Sequence, residues 1–375
     1  MKIFRKTFWL ITVALACCIS SVDAQKSVES APELVLKLEP RPDNPRNSEG
    51  DFVTLKDGRI LFVYSKFTGT SSSDFAGAYL VGRYSADGGK TWTKDDRVIV
   101  KNDAGMNVMS VSLLRLKDGN IALFYARKNA IDDCIPMMRV SKDEGETWSE
   151  PTACITDKKG YFVLNNNRVI QLKNGRLLVP VAWHITPAGA AFNGRGKLYV
   201  YHSDDNGATW TSSDEVANPD GVVTQEPGLI ALKKNKIMMI IRTDAGFQYQ
   251  SFSNDNGTSW GPAAVTNIQS PVSPATIARI PSTGDLLMVW NNNGLTGSLK
   301  GLRTPLNIAV SKDEGKTWQK QKTLEGDPDG WYCYTAIHFV GKKNVLLSYC
   351  AGNRPKRTSL SITDVKLLTL NWIYK

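Results

Sequence analysis

The chain has 375 residues, 46 of them Lys or Arg against 36 Asp or Glu, which leaves a formal charge of +10. That excess is spread without a basic block, which argues against dedicated nucleic-acid binding and suits an acidic partner. The three histidines, His184, His202 and His338, stand apart without ligand spacing, so neither a metal nor another cofactor is expected.

Residues 1–24 read as an export signal. MKIFRK supplies a positive start, Phe8–Ile19 an apolar stretch too short to span a bilayer, and Val22-Asp23-Ala24 a cleavage site before Gln25. Removing them leaves a charge of about +8 and no integral membrane segment. The expected location is secreted or periplasmic. The alternative is a lipid anchor at Cys17 or Cys18, in the imperfect lipobox Leu15-Ala16-Cys17-Cys18. Cys134, Cys154, Cys333 and Cys350 remain, an even count that permits two disulfides and leaves their pairing open.

After a lead-in over residues 25–44, apolar strands broken by a tight turn occur six times. They are FVTLKDGRILFVY (52–64), LLRLKDGNIALFY (113–125), VIQLKNGRLLVPV (169–181), LIALKKNKIMMII (229–241), IARIPSTGDLLMVW (277–290) and IHFVGKKNVLLSY (337–349). Each reads as a β-hairpin, because short Val/Ile/Leu/Phe runs flank turn formers. Five of the six are followed by an eight-residue phrase: SADGGKTW (85–92), SKDEGETW (141–148), SDDNGATW (203–210), SNDNGTSW (253–260) and SKDEGKTW (311–318). The starts lie 56, 62, 50 and 58 residues apart, a period that implies a repeat architecture. The sixth hairpin ends in SLSITDVKLLTLNW, which is strand-forming but carries no such phrase.

The phrase is a turn in which Asp and Ser bond backbone amides, Gly supplies φ > 0 and Trp tucks into the adjoining sheet. Identical copies in five repeats cannot all line one site. Asp87, Asp143, Asp205, Asp255 and Asp313 are therefore turn-holding residues. Hairpin and phrase counts predict an all-β chain, a six-bladed propeller of four-stranded antiparallel blades over residues 45–375. A length near 350 would ordinarily suggest two domains, but no linker divides the repeats, so one domain is expected.

The five phrases resemble the Asp boxes of the sialidase (neuraminidase) superfamily, and that resemblance covers nearly the whole mature chain. It implies three arginines that grip the carboxylate of a sialic acid, since planar guanidinium forks bind carboxylates in bidentate fashion. The matching positions hold Arg46, Arg242 and Arg303. Arg46 lies in NPRNSEGDF, where the family usually has Arg-Ile-Pro, so that match is positional. The family's catalytic glutamate maps to Glu226 in TQEPGLIALKKN, and its tyrosine nucleophile to Tyr334 in WYCYTAIHF, with Thr335 in place of a serine. The acid/base aspartate maps to Asp74 in TGTSSSDFAG. A phenol suits this substrate because a carboxylate nucleophile would be repelled by the carboxylate on the anomeric carbon.

The chain departs from the family at LLSYCAG, where many sialidases show Tyr-Glu. Glu49, Asp51, the run Asn165–Asn167 with Arg168, and His184 are further polar residues that could build a different pocket. The resemblance implies an exported, monomeric, retaining exo-α-sialidase acting on an acidic glycan. Two alternatives stay open: a hydrolase or lyase for uronic-acid polysaccharide, with Tyr334 or His184 as base in elimination, and a non-catalytic glycan- or protein-binding propeller.

Overall fold

A computed structural model describes residues 1–2, 31–185 and 193–375. All but the first two residues of the expected export signal, including Cys17 and Cys18, lie outside the described residues. The first strand, β1 (Glu33–Leu38), precedes β2 (Asn47–Thr54), β3 (Ile60–Phe67), β4 (Ala78–Ser85) and β5 (Arg97–Val100). Then come β6 (Asn107–Arg115), β7 (Ile121–Ala130), β8 (Asp133–Ser141), β9 (Thr152–Ala153), β10 (Tyr161–Val163), β11 (Ile170–Gln171), β12 (Leu177–His184), β13 (Gly196–Ser203) and β14 (Thr211–Ser212). The chain continues through β15 (Thr224–Ala231), β16 (Ile237–Thr243), β17 (Phe247–Ser253), β18 (Ala264–Gln269), β19 (Thr276–Arg279), β20 (Leu286–Asn291), β21 (Leu306–Ser311) and β22 (Gln319–Glu325). It closes with β23 (Gly330–Val340), β24 (Asn344–Asn353), β25 (Thr363–Thr369) and one short helix, α1 (Leu370–Tyr374).

The chain is all-β, and paired strands run antiparallel except β10, which lies parallel to β8. Strands β2–β5, β15–β18 and β19–β22 form four-stranded sheets, and β23, β24 and β25 form a fourth with β1 at its edge. The lead-in thus supplies a strand: Glu33–Leu38 pairs with Thr363–Leu367, where the last hairpin lacks an outer strand of its own. Strands β6 to β14 form one nine-stranded sheet, in which the short β10 pairs with both β8 and β12 and so joins two hairpin groups.

Every hairpin has a neighbour on both faces. In β3, Leu61 and Val63 pack with Leu123 and Tyr125 of β7, while Phe62 and Tyr64 pack toward Leu346 and Val365 of the last sheet. That is why these strands are continuous apolar runs rather than alternating ones. The inner strands touch in sequence: β2 meets β6, β12 meets β15, β15 meets β19, β19 meets β23, and β23 meets β2.

The boxes fasten the outer parts. In the second, Ser141 Oγ donates to Asp143 Oδ1 at 2.8 Å and accepts from Gly145 N at 2.7 Å, and Asp143 Oδ1 accepts from Thr147 N at 2.9 Å. Gly145 (φ 84) supplies the left-handed step. It lies against Leu61 of the preceding sheet, as Gly207 lies against Met138, Gly257 against Leu178 and Gly315 against Met238. Gly89 of the first box lies against Leu346 of the last sheet, where a β-carbon would meet Leu346 Cδ1 at 2.6 Å. Glu144 adds a clamp between sheets, accepting from Lys56 N at 2.8 Å and pairing with Arg115 at 2.6 Å.

No disulfide joins the described cysteines. Cys134, Cys154, Cys333 and Cys350 are buried free thiols, and Cys333 and Cys350 face each other in the β23–β24 register.

Candidate active site

Four inner strands break register at matching places. The β2–β3 ladder shifts between Ser48 and Asp51, β6–β7 between Met109 and Ser112, β15–β16 between Gln225 and Gly228, and β23–β24 between Cys333 and Ala336. Each bulge holds one non-glycine residue in left-handed conformation: Glu49 (φ 54), Ser110 (φ 64), Glu226 (φ 38) and Tyr334 (φ 56). Asn167 (φ 56), just ahead of β11, joins the series. A bulge re-aims one side chain out of the pleat, and strained backbone of this kind gathers at functional sites.

Glu49, Ser110, Glu226 and Tyr334 all line one cavity of about 300 Å³, with Asp74, Lys128, Tyr161, His184, Arg242, Arg303 and Trp331. Tyr334 Oη donates to Glu226 Oε1 at 3.2 Å, and Arg242 Nη1 pairs with Glu226 Oε2 at 2.5 Å. Burial pushes the Glu226 carboxyl up, but Arg242 beside it, with Arg303 and Arg168, holds it below the ordinary range. Burial and the negative Glu226 keep the Tyr334 phenol protonated well above its usual range. Arg303 stacks over Trp331 at 5.1 Å and Tyr334 at 5.4 Å. Its Nη1 is buried with no hydrogen-bond partner among the described residues. A buried cation with a spare donor on a cavity wall is a place for an anionic group.

Of the three expected arginines, Arg242 and Arg303 reach the wall. Arg46 is fully buried behind it. Its Nη2 donates to Glu49 Oε1 at 2.8 Å, its Nη1 to Asp74 Oδ1 at 2.5 Å and its Nε to Ser48 Oγ at 2.9 Å.

The further polar residues divide. Glu49 and His184 line the cavity, and burial lowers the His184 imidazole, whose Nδ1 lies 2.9 Å from Asn193 O. Asp51, Asn167 and Arg168 build no pocket, a correction to the expectation for them. The bulges turn them into the packed centre of the sheets. Asp51 accepts from Leu113 N and Asn167 Nδ2, each at 2.8 Å, and Asn167 Oδ1 accepts from Ile337 N at 3.2 Å. Asn166 Nδ2 donates to Gly50 O at 2.9 Å and to Tyr334 O at 3.0 Å, tying the β2 and β23 bulges together. Arg168 Nη1 donates to Ala275 O at 2.7 Å, in space left by Gly228, where a β-carbon would meet the guanidinium at 2.5 Å.

Lys128, Tyr161, Ser110, Phe75 and Trp331 were not anticipated. A signal existed for Ser110: it precedes the turn glycine Gly119 by nine residues, as Glu49 precedes Gly58. Lys128 carried none, since a lysine in a strand reads as solvated. It is buried, and its Nζ donates to Asp74 O at 2.7 Å, beneath the Phe75 ring. The box aspartates lie outside the cavity. Among the described residues no three His, Cys, Asp or Glu side chains could hold a metal, and no helix is long and apolar enough to cross a membrane.

Five Asp boxes on an all-β frame, with a tyrosine–glutamate contact beside two arginines, define a protein of the sialidase superfamily. The family profile of the BNR repeat-like domain matches residues 83–345, and the chain belongs to that family. It is 24% identical over 294 residues to a sialidase of Paraclostridium sordellii, covering 69% of this chain and 70% of that protein. It is likewise 24% identical over 337 residues to a sialidase of Bacteroides fragilis, covering 79% of this chain and 58% of that one. The solved structure of an intramolecular trans-sialidase from Ruminococcus gnavus shares the fold, with a TM-score of 0.71 at 15% identity over 90% of this chain and 97% of that one.

Proposed function

We propose that this chain is an exported exo-α-sialidase, a retaining glycosidase acting at the centre of a closed six-bladed ring. The contact of β23 with β2 and of Gly89 with Leu346 supports the closed ring. The nine-stranded sheet counts as two blades joined through β10. The observation that carries the chemistry is the chain Arg242–Glu226–Tyr334 beside the unpartnered donor of Arg303.

In this reading Arg303 and Arg242 take the substrate carboxylate. Tyr334 Oη attacks the anomeric carbon while its proton passes to Glu226, which Arg242 keeps ionised for that purpose. The leaving oxygen needs a proton from a wall carboxyl, and Asp74 and Glu49 are the two not bonded to Tyr334. Water then releases the sugar from the tyrosine with retention.

Incubation of the mature chain with a fluorogenic α-sialoside tests the reading, and release of free sialic acid is the expected result. Turnover of a uronate glycan alone would transfer the carboxylate clamp to that substrate class. No turnover of either would leave a binding propeller, a role for which the Tyr334–Glu226 contact has no use.

A further inference from the structure

The loop between β3 and β4 carries Asp74 and stands exposed from Thr68 to Phe75. Its base closes through Thr68 N, which donates to Gly77 O at 2.8 Å. Beyond that base, three buried side chains hold it. Arg46 Nη1 donates to Asp74 Oδ1 at 2.5 Å and to Ser72 O at 3.3 Å. Asn107 Nδ2 donates to Asp74 O at 2.9 Å and to Ala76 O at 2.7 Å. Lys128 Nζ donates to the same Asp74 O at 2.7 Å. Asp74 is thus fixed at both ends, its carboxyl by one cation and its carbonyl by another. Glu49 accepts from Arg46 on one oxygen and from Ser110 on the other, which favours its charged form. That leaves Asp74 as the wall carboxyl to protonate a leaving oxygen.

Lys128 is the costly member of this set. It is 3% exposed, and burial lowers its ammonium from the ordinary range. Among the described residues it makes no ion pair. Its other contacts are Met109 Sδ at 3.5 Å and the rings of Phe75 at 4.9 Å and Tyr161 at 5.3 Å. Packing alone would favour an apolar side chain here, since Met109, Ala126, Cys134 and Tyr161 form one cluster beside it. What the ammonium adds is a charge-assisted bond to the Asp74 carbonyl and a cation–π contact with Phe75, the next residue of the loop.

We propose that Lys128 is a positioning residue, which latches the Asp74 loop onto β7 so that the Asp74 carboxyl stays within reach of the leaving oxygen. An acid displaced by about 1 Å can cost on the order of 10²-fold in rate. The stem of Lys128 lies in an apolar wall, and only its charged end serves the loop.

The proposal rests on the sialidase reading with Asp74 as proton donor, and the test separates the two. Lys128→Met keeps an unbranched stem and removes the ammonium. It is compared with wild type, Asp74→Asn, Tyr334→Phe and the Lys128→Met/Asp74→Asn double variant on a sialyl-galactoside and on a 4-methylumbelliferyl sialoside, whose aryl leaving group needs no proton. Binding of the unsaturated sialic acid analogue and thermal unfolding report whether each variant is folded. Lys128→Met is expected to lose about 10- to 100-fold in kcat/KM on the galactoside. On the aryl sialoside it should stay within about threefold of wild type. Added to Asp74→Asn it should cost nothing further, because the acid it positions is already gone. Equal losses on both substrates, losses that multiply in the double variant, or full activity of Lys128→Met on the galactoside would overturn the latch while leaving the sialidase reading in place. A Lys128→Met that neither folds nor binds the analogue would assign Lys128 to the fold and overturn the proposal. A wild type inactive on both substrates, or a fully active Tyr334→Phe, would overturn the sialidase reading and the proposal with it. Asp74→Asn at the wild-type rate on the galactoside would remove Asp74 as the donor and the latch with it.

Discussion

The phenol of Tyr334 donates to the carboxylate of Glu226 across 3.2 Å, although 108 residues separate them. Removing the hydroxyl in Tyr334→Phe deletes only the proposed nucleophile. Turnover of a sialoside should fall by several powers of ten, on the order of 4–8 kcal/mol at about 1.4 kcal/mol per tenfold. The apparent affinity for a non-hydrolysed analogue should change little. Single-turnover kinetics and calorimetric binding check the two halves, and an unchanged kcat would remove Tyr334 from the mechanism.

The ion pair of Arg242 with Glu226 sets a pH limit. In the proposed mechanism Glu226 must be ionised to accept the phenol proton, and Arg242 lowers its pKa against the effect of burial. In the wild type the acid limb of kcat/KM should therefore fall below the ordinary carboxylate range. In Arg242→Gln the desolvation is left unopposed by that charge, so the limb moves to higher pH. A pH–rate profile with the same acid limb in both proteins would contradict this.

Arg303 lines the cavity, and its Nη1 is buried without a hydrogen-bond partner among the described residues. Charge-assisted hydrogen bonds contribute about 1.5–3 kcal/mol, so Arg303→Gln should weaken binding of an acidic sugar by roughly 10- to 150-fold. The methyl ester of the same sugar should bind both proteins alike. Titration calorimetry with acid and ester tells a carboxylate contact from a structural one.

Asn166 bonds carbonyls of two sheets at once, Gly50 O and Tyr334 O. In Asn166→Leu both are left buried without a donor, at about 1–3 kcal/mol each. The midpoint of urea unfolding should fall, and kcat should fall with it because the Tyr334 backbone loses its anchor. Loss of stability with full activity would show that the bulge holds its shape unaided.

A box should behave differently. Ser141→Ala removes the hydroxyl that bonds Asp143 Oδ1 and Gly145 N, which should destabilise the fold by about 1–3 kcal/mol. At temperatures where the variant is folded, kcat and KM should match wild type. A kinetic defect there would mean that the box reaches the cavity.

The sequence by itself determined the repeat. A period near 56 residues, six turn-broken apolar runs and five Asp boxes follow from local rules, since turn chemistry and strand hydrophobicity are written within a dozen residues. Through those boxes it resembles the sialidase superfamily, and that resemblance points to Tyr334, Glu226, Arg242 and Arg303, which the structure brings to one cavity. Tertiary structure decided what local rules cannot reach. Whether Arg46 meets a substrate or sits behind Glu49 and Asp74 depends on a loop 28 residues away. Asp51 and Asn167 looked like pocket residues and became the centre of the packing, and a buried Lys128 looked like a surface one. For Asp51 the reason is the bulge: one extra residue in β2 reverses which side chains face the cavity. Nothing in the composition of SEGD, QEPG or CYTA marks that reversal until the neighbouring sheets are in place.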